Sequence, residues 1–103
     1  MDKKTFEKIV GNRFFEVAFT KKDGSERLMN GRLKVHKYIK GTGSPVIDGR
    51  LVIMDRIVFR ENVKAGMRRW DAGHRAYRSL WPDTVKWVKV NGHTYNADGE
   101  EVA

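Results

Sequence analysis

FEVAFTKKDGSERL, residues 15–28, is the stretch from which the architecture can be predicted. Phe15, Val17 and Phe19 occupy alternate positions of its first half, which is typical of a strand with one buried face. Asp23-Gly24 follows, and this pair between two β-like runs predicts a tight hairpin. The chain then returns as a second strand. The stretch therefore predicts a mainly β protein whose sheet is built around this antiparallel pair of strands.

Further runs towards the C-terminus predict more strands. Leu51–Met54 is a continuous apolar run, which suits a strand buried on both faces. Tyr77–Trp81 and Thr84–Val90 are rich in aromatic and β-branched residues, as strands are. Asn91-Gly92 after them predicts a type I′ hairpin, since both of its central residues need positive φ. Several short strands with tight turns favour a small barrel or sandwich.

Two other segments favour helix. In residues 1–12, an apolar face over Lys3–Val10 predicts a short helix that ends at Gly11. In residues 57–71, apolar side chains recur at spacings of four, four and three, which predicts a single helical stripe. A long twisted hairpin with a turn near residues 64–66 is the alternative there. The predicted stripe consists of Phe59, Val63, Met67 and Trp70.

Composition restricts the class of protein. The 103 residues suffice for one domain, 1–103, and are too few for two. There is no cysteine, no signal peptide and no apolar run long enough to span a bilayer, so we expect a cytoplasmic protein without disulfides or a membrane role. The acidic tail, 98–103, is expected to be frayed. A net charge of +8 attracts polyanions whatever the fold.

Three segments taken in order carry a family resemblance. They are Phe19–Asn30 with its Lys-Asp-Gly turn, Leu51–Asp55, and Tyr77–Val85 followed by Val90-Asn91-Gly92. In this order they resemble the small phage and bacterial proteins with a WYL-like, Sm-like SH3 β-barrel fold. The resemblance covers roughly residues 13–97, which is most of the chain.

The resemblance implies a phage-encoded, five-stranded barrel that binds nucleic acid or nucleotide-like ligands. It carries over one role, that of the basic residue lining the ligand groove, to Arg78. The chain departs from the family pattern at Leu80 and Trp81, where a phenylalanine and a basic residue are usual, and at Pro82. The connection over 56–76 is longer than is common and is therefore expected to be an insertion.

Basic and aromatic residues interleave in the second half of the chain. Arginine makes bidentate phosphate contacts, and aromatic faces stack on unpaired bases. We therefore predict binding of RNA or single-stranded DNA, RNA being favoured, with little sequence specificity. The alternative is that Trp70 and Trp87 fill the core and the arginines form a solvated face. The predicted nucleic-acid-binding residues are Arg60, Lys64, Arg68, Arg69, Arg75, Tyr77, Arg78, Trp81 and Lys86.

A second basic group lies nearer the N-terminus. Two-residue spacing would put several of its members on one face of a strand, with Leu33 and Val35 towards the core. The group either extends the positive surface or forms an ordinary solvent face. Its members are Arg32, Lys34, His36, Lys37 and Lys40.

No residue pattern favours an enzyme, a cofactor or a metal site. His36, His74 and His93 lack metal-ligand spacing, and the serines lack a nucleophile-elbow context. Asp55, at the end of an apolar run, is expected to cap a turn or to pair with an arginine such as Arg78.

Two alternative functions remain open. One is a phage factor that binds and modulates a host or viral protein through an exposed Trp-rich patch. The other is a WYL-like sensor of a nucleotide centred on Arg78. Sm-like barrels also associate through strand edges, so a homo-oligomer is compatible with the resemblance.

Overall fold

The computed structural model describes residues 1–33 and 49–102, and within them six strands form one open antiparallel sheet. The strands are β1 (Phe15–Thr20), β2 (Glu26–Leu33), β3 (Leu51–Asp55), β4 (Tyr77–Leu80), β5 (Val85–Val90) and β6 (His93–Asn96). Their order across the sheet is β4-β3-β2-β1-β5-β6. The mainly β prediction is confirmed. About five strands were predicted, and the sixth is the return strand of the last hairpin.

Both predicted hairpins are present. Gly24 has φ +86°, and the Asp23 carboxylate accepts bonds from the Ser25 hydroxyl at 2.6 Å and from the Ser25 N–H at 2.9 Å. These bonds, that of the hydroxyl first, lower the pKa of Asp23 from its ordinary value. Asn91 and Gly92 have φ of +53° and +82°, as a type I′ turn requires. Local turn chemistry therefore sets both strand reversals.

The N-terminal helix α1 (Lys3–Val10) forms as predicted. The carboxylate of Asp2 caps it by accepting a bond from the Thr5 N–H at 2.7 Å, and this bond lowers the pKa of Asp2. Phe6 and Val10 are fully buried, and the Phe6 ring meets the Phe15 ring edge-on with centroids 5.2 Å apart. The buried face of α1 thus covers part of the sheet.

The main core lies on one face of the sheet, beneath α1. Burying each large apolar side chain contributes about 1.5–3 kcal/mol, so this cluster supplies most of the driving force for folding. Its members come from α1 and the first five strands: Phe6, Val10, Phe15, Val17, Phe19, Met29, Leu33, Leu51, Ile53, Leu80, Val85, Val88 and Val90.

Two helices, α2 (Arg56–Lys64) and α3 (Arg69–His74), connect β3 to β4. They confirm helix over hairpin for this segment, but the prediction of a single helical stripe is wrong. Gly66, at φ +95°, breaks the helix, because that backbone conformation ends helical hydrogen bonding. Val63 and Trp70, which the stripe would bury, are 39% and 41% exposed.

A second, smaller apolar cluster joins α2 to the sheet. Met54 and Ala76 form its buried centre, and Val58, Phe59 and Tyr77 pack against them. β3 is therefore covered on both faces, as its continuous apolar run predicts.

The connection from β4 to β5 shows that the sheet is strongly coiled. β4 and β5 are four strand spacings apart, about 19 Å in a flat sheet. Only Trp81 and a one-turn 3₁₀ helix, Pro82–Thr84, join them. A 3₁₀ helix rises about 2 Å per residue, so this connection is too short for a flat sheet. The end of β4 therefore approaches the end of β1.

The acidic tail pairs with β6 as far as Val102. The side chain of Asn96 accepts bonds from the Asp98 and Glu100 N–H groups, both at 3.0 Å, and so turns the chain back. The Val102 N–H then donates to the Thr94 carbonyl at 2.8 Å. Tail pairing covers the outer edge of β6.

Candidate nucleic-acid interface

A cleft of about 350 Å³ opens where the β1–β2 hairpin faces the end of β4. Phe19, Met29 and Leu80 are core residues that form its apolar floor. The cleft exists because the coiled sheet brings β4 towards the hairpin. Its volume falls within the range of about 300–1,000 Å³ that is usual for small-molecule sites.

The rim of the cleft is basic. Five of the lining residues carry a positive charge, and none of the lining residues is acidic. Arg27 alone among the five forms an ion pair with a described residue. The other four form no ion pair with a residue in 1–33 or 49–102. The cleft therefore combines an apolar floor with an excess of positive charge, which suits a ligand that is both flat and anionic. The five are Lys21, Lys22, Arg27, Arg50 and Arg78.

Trp81 stands at the mouth of the cleft, 47% exposed. Its carbonyl accepts bonds from the Thr84 N–H at 3.0 Å and from the Thr84 hydroxyl at 2.6 Å, which fix its backbone. The Arg50 guanidinium lies 5.1 Å from the ring centroid. Gly49 packs so closely that a Cβ atom there would lie 3.0 Å from Trp81 Cζ3. The indole is thus held in place while about half of the residue faces solvent.

Arg78 enters the cleft from β4. It lies opposite Ile53 in the β3–β4 register, so its side chain leaves the sheet on the core face. Its Nη1 donates to the carbonyls of Arg75 and Tyr77, both at 2.8 Å. These bonds hold the guanidinium at the rim.

Asp55 connects the cleft to α2. Its Oδ1 accepts bonds from the Ile57 and Val58 N–H groups at 3.0 and 3.2 Å, which confirms the predicted cap. Its Oδ2 lies 3.6 Å from Arg27 Nη2, so its arginine partner is Arg27 and not Arg78. The carboxylate of this ion pair is buried, whereas the Arg27 side chain is 37% exposed.

The predicted binding residues fall into separate places. Arg78 and Trp81 line the cleft. Tyr77 packs in the apolar cluster under α2, and Lys86 pairs with Glu26 at 3.3 Å. The remaining predicted residues are exposed on or beside α2 and α3, and none forms an ion pair with a described residue: Arg60, Lys64, Arg68, Arg69 and Arg75.

Sequence reasoning missed four cations of the rim. Lys21 and Lys22 flank the Asp-Gly turn, and this basic hairpin tip was a signal that could have been used. Arg27 opposes Phe19 in the register and so lies on the core face. No local sequence pattern predicts a binding role for Arg50, because only the approach of β3 to Trp81 brings its side chain to the cleft.

The second basic group is only partly described. Leu33 is buried as predicted, and Arg32 places its guanidinium 5.1 Å from the Phe14 centroid. Arg56 approaches the same ring at 5.0 Å. The predictions for Lys34, Val35, His36, Lys37 and Lys40 lie outside the described residues.

Residues 1–33 and 49–102 contain no cluster of three or more acidic or histidine side chains that could hold a metal ion. His93 bonds Glu101 at 2.9 Å, and His74 stacks on Trp70. None of the helices in these ranges is long and apolar enough to cross a membrane.

Comparison of the chain with known protein families, curated proteins and solved structures found no match.

Proposed function

We propose that this protein binds single-stranded nucleic acid, RNA in preference to DNA, in the cleft between the β1–β2 hairpin and β4. The observation that carries the proposal is a half-exposed Trp81 set among five basic side chains in a cleft with no acidic lining residue.

The chemistry of the cleft favours a nucleotide unit. A base has a flat apolar face that can stack on Trp81, for about 1–3 kcal/mol, and cover the apolar floor. Phosphates then meet the arginines and lysines of the rim, which neutralise them without reading sequence. A concave site of this volume accepts an unpaired base more readily than a duplex, because paired bases are stacked away from the protein.

The fold supports the same proposal. Strands β1–β5 and the short β4–β5 connection are compatible with the Sm-like SH3 barrel that the family resemblance implies, with β6 as an added strand. In that resemblance a basic residue in the segment of Arg78 lines the ligand groove. Arg78 lines the cleft here.

Fluorescence anisotropy with a labelled 12-nucleotide RNA, the matching DNA and a duplex tests the proposal. Trp81→Ala should weaken binding of the RNA about 5- to 150-fold, the equivalent of one lost stacking contact. Arg78→Ala should weaken it as well, whereas Lys8→Ala, an exposed lysine of α1, should change it less than about twofold. Equal affinities for all three variants, or tighter binding of the duplex, would contradict the proposal.

A further inference from the structure

We infer that the bound strand does not end in the cleft but continues along α3, so that the ligand is an oligonucleotide and not a single nucleotide. The inference rests on the proposed function. It names a second contact surface, the α3 surface, which consists of Arg68, Arg69, Trp70, His74 and Arg75.

The α3 surface adjoins the cleft. Arg78, which lines the cleft, donates from Nη1 to the carbonyl of Arg75 at 2.8 Å. Arg75 is the C-terminal cap of α3, so the helix leaves the rim of the cleft at this end. Six helical residues extend about 9 Å, which places Arg68 and Arg69 roughly that far along the helix. A strand that leaves the cleft can therefore reach them.

The charge of the α3 surface is available to a ligand. Arg68, Arg69 and Arg75 are exposed and form no ion pair with any residue in 1–33 or 49–102. Arg69 rests its guanidinium 5.4 Å from the centroid of the Phe59 ring, which limits its motion and so the entropy lost on binding. Asp71 is the one acidic residue within α3.

The α3 surface also offers a second aromatic platform. Trp70 is 41% exposed and lies parallel to His74, with ring centroids 4.9 Å apart and an interplanar angle of 10°. A stack of this kind between flanking arginines suits a second unpaired base. An acidic peptide would use the arginines but gain less from the rings. We therefore favour a nucleic-acid strand over an acidic protein segment.

The test compares oligouridylates of 3 and 12 nucleotides by anisotropy at several NaCl concentrations. The variant is Arg68→Ala/Arg69→Ala, which removes no helix-cap bond because Arg68 makes none through its side chain. The control is Lys4→Ala/Lys8→Ala, which removes the same charge from α1. Circular dichroism melting checks that both variants are folded.

In the wild type we expect the 12-mer to bind more tightly than the 3-mer. Arg68→Ala/Arg69→Ala should weaken binding of the 12-mer about 10- to 30-fold at 0.1 M salt. It should also make the slope of log affinity against log salt concentration shallower by about 1.4. The same variant should change the affinity for the 3-mer less than about twofold. The control should change the affinity for either oligonucleotide less than about twofold.

Three results would overturn the inference. The first is that the wild type binds the 3-mer and the 12-mer with equal affinity. The second is that Arg68→Ala/Arg69→Ala leaves the affinity for the 12-mer unchanged. The third is that polyglutamate of the same charge displaces the 12-mer as readily as unlabelled 12-mer does. In the first two cases a bound 3-mer keeps the proposed function intact. If neither oligonucleotide binds the wild type, the proposed function itself fails.

Discussion

Gly31 of β2 lies against the backbone of β3. A Cβ atom at this position would overlap the Met54 carbonyl oxygen and would lie 2.6 Å from Ile53 Cγ2. Backbone cannot move aside as the end of a flexible side chain can, so glycine is required for the close pairing of β2 with β3. The requirement comes from space and not from a positive φ.

Gly31→Ala should therefore lower the free energy of unfolding by about 1–3 kcal/mol, the usual cost of overpacking. Urea denaturation followed by circular dichroism measures it. Adding Ile53→Val should restore little of the lost stability, because the overlap between the new Cβ atom and the Met54 carbonyl oxygen remains. An unchanged urea midpoint for Gly31→Ala would show that the strands can separate at no cost.

The pKa of Asp23 lies below its ordinary value because the Ser25 hydroxyl and N–H donate to its carboxylate. A lowered folded-state pKa means that the stabilisation is complete above the unfolded value, 3.8, and is lost as the pH falls through the folded value. Ser25→Ala should raise the pKa of Asp23 towards 3.8, since it removes the larger cause.

NMR titration of the carboxyl carbons measures this shift. Asp2 is the internal control, because its pKa is lowered by Thr5 and not by Ser25. The account of Asp23 is wrong if the two aspartates move together in Ser25→Ala, or if neither moves.

Helix α2 depends on a cap that belongs to the strand before it. Asp55 accepts bonds from two N–H groups of the first turn and pairs with Arg27 at the cleft. Asp55→Ala should cost about 0.5–2 kcal/mol of stability from the lost cap. Asp55→Asn should cost less, because asparagine caps as well as aspartate does. The partner that keeps its charge, Arg27, is 37% exposed and so remains solvated.

The two Asp55 variants should differ in stability but agree in binding. Both remove the carboxylate that is ion-paired with a cleft cation, so both should bind RNA more tightly than the wild type. Thermal melting and anisotropy on the same samples measure the two effects. Weaker binding by Asp55→Asn would show that the carboxylate positions Arg27 for the ligand.

The whole molecule carries a net charge of +8, and the cleft concentrates five of its cations. Binding of a single strand releases counterions, with a log–log salt slope of about −0.7 per phosphate neutralised. If each rim cation contacts one phosphate, the cleft alone should give a slope of about −3.5. An affinity for RNA that stays flat between low and high salt would leave the positive charge without a role in binding.

Much of the secondary structure follows from local patterns. Asn91-Gly92 and Gly24 favour the hairpins because these three residues adopt positive φ at little cost, and Asp23 favours the first one by accepting bonds from Ser25. The alternating apolar residues of β1 and the apolar face of α1 likewise predict their buried sides. The helix after β3 is different. The helical spacing of apolar residues in the sequence continues past Gly66. Only the backbone conformation of the structure shows that α2 ends before Gly66.

Composition and local periodicity were enough to establish a basic, mainly β chain with an N-terminal helix and tight turns, since charge and turn geometry are properties of neighbouring residues. The cleft was decided by tertiary structure alone. Lys21, Arg50 and Trp81 come from three separate segments, and no local pattern records how far the sheet coils. That coil follows from the short β4–β5 connection and the shared core, which bring β4 to the hairpin and its cations to Trp81.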